Sequence, residues 1–149
     1  MDRWNKLLER QLLSWSAGWL PPIDLMSAVV RGVIEQRLRK FGEKHHLNWW
    51  GSNIKTQWLL GWREGEIKRQ VQVRLDGWGG NYHIVVAGIA IKPEEDDSTI
   101  EELKGYHEEI VYDGVIYEID AEGHPHYHKN KVIEATKKLS TAYDKAKNL

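Results

Sequence analysis

Apolar residues recur along the chain at two different spacings, and the extended spacing is clearest in the middle. From Glu66 to Asp76 apolar side chains occupy alternate positions, which is typical of a strand with one solvated face. The glycine-rich run that follows indicates a loop, and residues 82–91 are then apolar on both faces until Pro93. The pattern predicts a hairpin whose second strand lies in the middle of a sheet. The residues predicted in the sheet interior are Val85, Val86, Ile89 and Ile91.

Helical spacing appears in three longer stretches of the chain. The first runs from Trp4 to Trp19 and is followed by two prolines. In the second, residues 24–42, Asp24 is predicted as the N-cap and Gly42 as the C-cap. The third is predicted to begin at Asn130 and continue as one helix to residue 146. A capping-box pattern at residues 98–101 predicts a further short helix to about residue 107.

The remaining strands are predicted from alternation and from turn residues. Residues 54–62 alternate and form a first strand, and two β-rich runs, residues 108–112 and 115–120, flank Asp113-Gly114, a strong hairpin signal. The element order is therefore ααβββαββα. The pattern predicts one α+β domain over residues 1–149, with a mainly antiparallel sheet of about five strands and helices packed against it.

Composition narrows the classes of function. The 21 basic and 22 acidic residues give a net charge of −1, so any site for nucleic acid must be a local basic patch. There is no cysteine, no continuous apolar leader and no run long enough for a membrane span, and we expect a cytoplasmic protein. No Walker lysine or nucleophile elbow is present, so no catalytic residue is assigned and a non-catalytic role is favoured.

Basic and aromatic residues are concentrated where the second predicted helix meets the first strand. The chain contains 8 Trp, and flat rings beside cations are the combination that single-stranded nucleic acid or duplex ends require. Lys68 and Arg74, on the polar side of the central strand, extend this surface if they lie on the same side. The sequence therefore predicts a nucleic-acid site made of Arg37, Arg39, Lys40, Trp49, Trp50, Lys68 and Arg74.

A histidine-rich segment follows the last predicted strand. In an extended chain His124, His126 and His128 would face the same way, with Asp120 close enough to act as a fourth ligand. Such a group predicts a site for zinc or a similar divalent metal with an open position, and hence a metal-dependent hydrolase or nuclease. The other interpretation is a polar loop without a cofactor, and Pro125 favours it because it interrupts the extended segment.

A third class of function is a protein-interaction or assembly subunit. In that hypothesis the tryptophan-rich first helix docks on another chain, which includes the possibility of a homo-oligomer, and Trp4 and Trp15 carry the contact. The sequence does not distinguish RNA from DNA, and it does not identify the partner.

Overall fold

The computed structural model describes residues 6–7, 9–10, 23–51, 56–78, 81–93 and 105–149. In this part of the chain six strands and three helices are present, and residues 6–7 and 9–10 are also helical. The helices are α1 (Ile23–His45), α2 (Lys129–Thr136) and α3 (Leu139–Asn148). The strands are β1 (Asn48–Trp49), β2 (Gln57–Glu64), β3 (Ile67–Trp78), β4 (Asn81–Ile91), β5 (Tyr106–Ile119) and β6 (Pro125–Tyr127).

The six strands form one curled sheet in which each strand pairs with its neighbours in sequence. The spatial order is β1-β2-β3-β4-β5-β6, and every pair is antiparallel. Two register shifts in the β4–β5 pair, typical of β-bulges, favour local bending and twist of the sheet. The prediction of an α+β fold with an antiparallel sheet is confirmed.

The hydrophobic core lies between one face of this sheet and the helices, and we call that side the helix face. Because side chains alternate along a strand, every second residue of β2, β3 and β4 points into it. The residues of these three strands buried there are Trp58, Leu60, Val71, Val73, Ile84 and Val86, and β5 adds Ile116. The helices contribute Val30, Val33, Ile34, Leu38, Val132, Ala135, Leu139 and Ala142. The other side is called the opposite face.

Strand β4 lies in the middle of the sheet, as the sequence predicted. Val85, Val86 and Ile89 are at most 3% exposed, although Val86 points to the helix face and the other two to the opposite face. Ile91, at the end of the strand, is only half-buried. Burial on both faces explains why this strand lacks the alternation seen in β3.

Helix α3 approaches β4 so closely that only glycine fits beneath it. A Cβ atom on Gly88 would lie 2.4 Å from the carbonyl oxygen of Ala142 and 2.8 Å from the amide nitrogen of Ala146. The end of α3 is fixed by Arg69 of β3, which is 7% exposed and points to the helix face. Its Nη1 donates to the carbonyl oxygens of Ala146 at 2.5 Å and of Leu149 at 3.0 Å, groups that a helix end leaves unpaired.

Helix α1 is longer than the sequence pattern predicted. Asp24 and Gly42 lie inside the helix, so neither is the terminal residue that we expected. The helix ends instead where His46 takes a left-handed conformation, with φ of 57°, and the amide of Leu47 donates to the carbonyl of Gly42 at 2.9 Å. This pairing is a Schellman-type end, and it shows that a histidine can occupy the position usually held by glycine.

The predicted hairpin at Asp113-Gly114 is wrong. Both residues lie inside the single long strand β5, paired with Val85 and Ile84 of β4. Pairing with β4 continues on both sides of the glycine, and the Tyr112 ring occupies the space where a Cβ on Gly114 would lie, 2.8 Å from the nearest ring atom. The tertiary pairing therefore overrides the local turn preference.

Other element boundaries also differ from prediction. The sheet has six strands instead of about five. Two predicted strands merge into β5, and two short strands, β1 and β6, form in segments without a periodic pattern. Strands β3 and β4 continue through most of the predicted glycine-rich loop. The last helix is divided into α2 and α3, and the hydroxyl of Thr136, at the end of α2, donates to the carbonyl of Ile133. Residues 98–104 of the predicted middle helix lie outside the described residues, and residues 106–107 belong to β5.

Candidate nucleic-acid interface

A tryptophan and an arginine meet at the edge where α1 turns into β1. The guanidinium carbon of Arg39 lies 4.6 Å from the centre of the Trp49 ring, within the range of a cation–π contact. Glu35, one turn earlier on α1, accepts hydrogen bonds from Nη2 of Arg39 at 3.0 Å and from Nε at 3.3 Å. Trp49 remains 37% exposed on this edge strand. The pair forms a flat surface with a positive charge, and we call it the Arg39–Trp49 edge.

A cavity of about 300 Å³ opens beside this pair. Its lining combines the last turns of α1, the residues that follow the helix, and one buried strand residue, Leu60. The full lining is Arg39, Gly42, Glu43, His46, Leu47, Trp49 and Leu60. Arg39 and Glu43 give the lining one positive and one negative charge, and Lys40 and Lys44 are exposed on the same end of the helix.

Two other residues of the predicted site are engaged elsewhere. Arg37 forms an ion pair with Glu9, and both side chains are half-buried, at 31% and 24% exposure. Trp50 lies across the sheet from its neighbour Trp49, over Gly61, where an added Cβ would be 2.2 Å from the indole ring. Trp50 therefore covers the opposite face of β2, while Trp49 lies on the helix side.

Lys68 and Arg74 of β3 also point to the opposite face. Lys68 pairs with Arg63 and Arg74 with Gln57, and these residues alternate with the core positions of β2 and β3. The sheet therefore separates Lys68, Arg74 and Trp50 from the Arg39–Trp49 edge. Out of the seven predicted residues, the structure brings only Arg39 and Trp49 into contact.

Arg74 is the centre of a polar network on that opposite face. Its Nη1 donates at 2.9 Å both to Glu108 of β5 and to Gln72, and its Nε donates to Asp76 at 3.0 Å. Burial acts to lower the pKa of Arg74, but the bonds to Glu108 and Asp76 outweigh it and raise the pKa. The contact with Glu108 spans β4 above the small side chain of Ala87. The carboxylates already neutralise this arginine.

The predicted metal ligands do not converge, because His126 and His128 contact different carboxylates. Nε2 of His126 lies 2.8 Å from Asp120, whereas Nε2 of His128 lies 2.9 Å from Glu118. Nδ1 of His124 lies farther from Asp120, at 3.7 Å. Within the described ranges no three histidine or carboxylate groups lie in positions to share one ion. The metal site stays a prediction, and no geometry in this part of the chain supports it.

Asp120 organises the turn between these two strands. Its Oδ1 accepts the amide protons of Glu122 and His124, each at 2.9 Å, which is an Asx-type turn. The hydrogen bond with His126, followed by the backbone bond from His124, lowers the pKa of Asp120. Asp120 therefore has a structural role in closing the β5–β6 turn.

Two features escaped the sequence analysis. Arg69 occupies one of the alternate positions of β3 that are otherwise apolar. A charged residue at such a position indicates that it is buried together with a polar partner. Nδ1 of His83 lies 3.0 Å from Oδ1 of Asp113 across the β4–β5 pair, and nothing in the sequence links two residues 30 positions apart. The predicted docking residues Trp4 and Trp15 lie outside the described residues.

Comparison with known proteins identifies no relative. No protein-family model, no curated protein and no solved structure matches this chain. Within the described residues, no helix combines the length and the apolar content needed to cross a bilayer. The function must therefore be inferred from the side chains themselves.

Proposed function

We propose that this chain is a non-catalytic protein that binds single-stranded nucleic acid through the Arg39–Trp49 edge. The observation that carries the proposal is the arginine stacked on a tryptophan that is still exposed. A base stacks on such a ring whatever its identity, and the guanidinium contributes cation–π attraction. A phosphate would compete with Glu35 for the Arg39 guanidinium. Trp49 is held by strand pairing and Arg39 by Glu35, so little side-chain freedom remains to be lost on binding.

Single strands fit this edge better than a duplex does. Stacking requires a base whose face is free, which a continuous duplex does not offer. The cavity beside Trp49 gives an unstacked base a place to enter, and the exposed Lys40 and Lys44 lie near enough in sequence to meet the adjoining phosphates. Glu35 and Glu43 limit the local positive charge, so we expect moderate affinity with a clear salt dependence.

The test is fluorescence anisotropy of labelled single-stranded oligonucleotides, one RNA and one DNA, at several salt concentrations. Replacement of Trp49 with leucine removes the stacking platform, which is worth about 1–3 kcal/mol per base, so binding should weaken by roughly 5- to 150-fold. Arg39→Gln should weaken binding to all sequences alike and reduce the salt slope by about 0.7.

Lys68→Gln is the matched control, because it removes the same charge from the opposite face of the sheet. It should leave affinity unchanged. A stronger effect of Lys68→Gln than of Arg39→Gln would move the contact to the other face and contradict the proposal. If the purified protein binds neither RNA nor DNA at low salt, the nucleic-acid function is rejected.

A protein partner is the second candidate for the same edge. Arginine and tryptophan are the residues most often found at the centres of protein interfaces, and Arg39 and Trp49 are paired and exposed. Sedimentation velocity over a range of concentrations tests the homo-oligomeric version. Association that is lost in Trp49→Leu, with no oligonucleotide bound, would favour this candidate.

A further inference from the structure

A larger cavity, of about 580 Å³, lies at one end of the sheet and shares no residue with the Arg39–Trp49 edge. It is formed where β2 turns into β3, where β4 ends and where β5 begins. The lining residues are Glu64, Glu66, Ile67, Lys92, Pro93, Gly105 and His107. Its volume falls within the range of about 300–1,000 Å³ that is usual for small-molecule sites.

One wall of this cavity is a carboxylate that other residues hold in place. Oε1 of Glu64 accepts a hydrogen bond from the Trp62 indole at 2.9 Å, and its Oε2 lies 3.1 Å from Nε of Arg69. The Trp62 bond and then the Arg69 guanidinium lower the pKa of Glu64. Because Arg69 is buried and also bonded to the end of α3, the Glu64 carboxylate is ordered before any ligand arrives.

The other polar groups of the cavity include one anion, Glu66, and one cation, Lys92. Glu66 lies in the turn beside Glu64, and Lys92 and His107 lie on the adjoining strand ends. In the part of the chain that the structure describes, no side chain forms an ion pair or hydrogen bond with these three groups. The backbone around Lys92 is fixed, since its amide donates to the carbonyl of Gly105 at 2.8 Å.

We infer that this cavity binds a small zwitterion, a molecule in which an ammonium and a carboxylate are joined to a short apolar body, as in a free amino acid. Glu64 and Glu66 receive the ammonium group, while Lys92 and His107 receive the carboxylate. Ile67 and Pro93 provide apolar surface for the rest of the molecule. An anion alone would meet two carboxylates and a cation alone would meet the lysine, so a ligand with both charges is favoured.

The test compares three probes that differ by one group each. L-norvaline carries both charges, n-butylamine is the same skeleton without the carboxylate, and pentanoate is the skeleton without the ammonium. Binding is followed by ¹⁵N NMR titration, using the Trp62 indole signal, assigned with Trp62→Phe, and the amides of Gly65 and Gly105. L-norvaline should give saturable shifts at these positions and bind about tenfold more tightly than either single-charge probe.

Two variants separate the roles of the charges. Lys92→Met should weaken L-norvaline about tenfold without affecting n-butylamine, and Glu66→Gln should weaken L-norvaline and n-butylamine but not pentanoate. Lys137→Met and Glu122→Gln are the matched controls, because both residues are exposed outside the cavity. They should change nothing.

Three results would overturn the inference. The first is the absence of saturable shifts with L-norvaline at the cavity signals of the wild-type protein. The second is binding of n-butylamine or pentanoate as tightly as L-norvaline, which would make the site one for a single charge. The third is an equal loss of affinity in the Lys137→Met control. An unchanged amide spectrum away from the cavity confirms that each variant is folded, so these results cannot arise from misfolding.

Discussion

Gly88→Ala tests how closely α3 packs on the sheet. The added methyl group would lie 2.4 Å from the Ala142 carbonyl oxygen, whereas ordinary contact begins at 3.4 Å, so α3 must move by about 1 Å. The obstacle is helix backbone, which cannot rotate away as a side chain could. Overpacking of this kind costs about 1–3 kcal/mol, and we expect the upper end of that range.

The same movement also loosens the end of the helix. A shift of about 1 Å would stretch the 2.5 Å contact from Arg69 to the Ala146 carbonyl beyond a good hydrogen bond. Loss of that charge-assisted bond adds about 1 kcal/mol or more, for a total near 3–4 kcal/mol in the free energy of unfolding. For a domain of this size the midpoint of thermal unfolding should fall by roughly 10 °C.

Urea denaturation measures this loss, with Gly65→Ala as the control. Gly65 is also a glycine, but no atom lies within 4 Å of its added Cβ, and its φ of 61° leaves only a backbone strain of about 1–2 kcal/mol. Both variants reduce the entropy of the unfolded chain equally, so the difference between them is the cost of the contact with α3 minus the backbone strain at residue 65. A loss in Gly88→Ala no greater than that in Gly65→Ala would refute the reasoning.

Three further predictions concern single contacts. Arg69→Met should lower the free energy of unfolding by about 3 kcal/mol in urea and speed amide exchange in the last turn of α3; unchanged exchange would contradict its role as a cap. Burial and the bond to Glu134 raise the pKa of Tyr112 to about 12. The free energy of unfolding should therefore fall as pH rises from about 10 to about 12, and in alkaline denaturation Tyr112→Phe should lose less stability over this range than wild type. The pKa of Asp120 is lowered in the folded protein, so wild type should be more stable than Asp120→Asn above pH 3.8 and should lose this advantage as pH falls through the folded pKa. An advantage that persists in acid would refute a contribution of the Asp120 carboxylate to stability.

The parts of the fold that sequence could predict are those where one residue pattern has one structural cause. Strand β4 was recognisable because only burial on both faces accounts for residues 82–91, a run that is apolar except at His83 and Gly88. Helix α1 was recognisable from its apolar stripe, but its end was not, because the left-handed conformation of His46 depends on the chain that follows. The division of α2 from α3 was missed since Val132, Leu139 and Ala142 keep one helical period across it.

The sequence could indicate individual residues of the candidate site, but it could not predict which of them share one face of the sheet. Basic and aromatic residues near positions 37–50 identified Arg39 and Trp49, which do meet. Whether Lys68 lies on the same face of the sheet as Arg39 and Trp49 depends on two things. One is the register between β2 and β3, and the other is whether Trp49 or Trp50 faces the helices. A shift of one residue exchanges the two faces, and local sequence does not determine it.

The position of Asp113-Gly114 within β5 has a consequence for the way the chain folds. A strong local signal for a two-residue turn lies in a strand whose stability depends on β4. Before β4 is in place, this dipeptide favours folding residues 108–112 back on residues 115–119, which is a non-native hairpin. Such a hairpin has to open before β5 can form its ten residue pairs with β4. The local preference of this dipeptide therefore opposes the native pairing, in a sheet whose strands otherwise pair in sequence order.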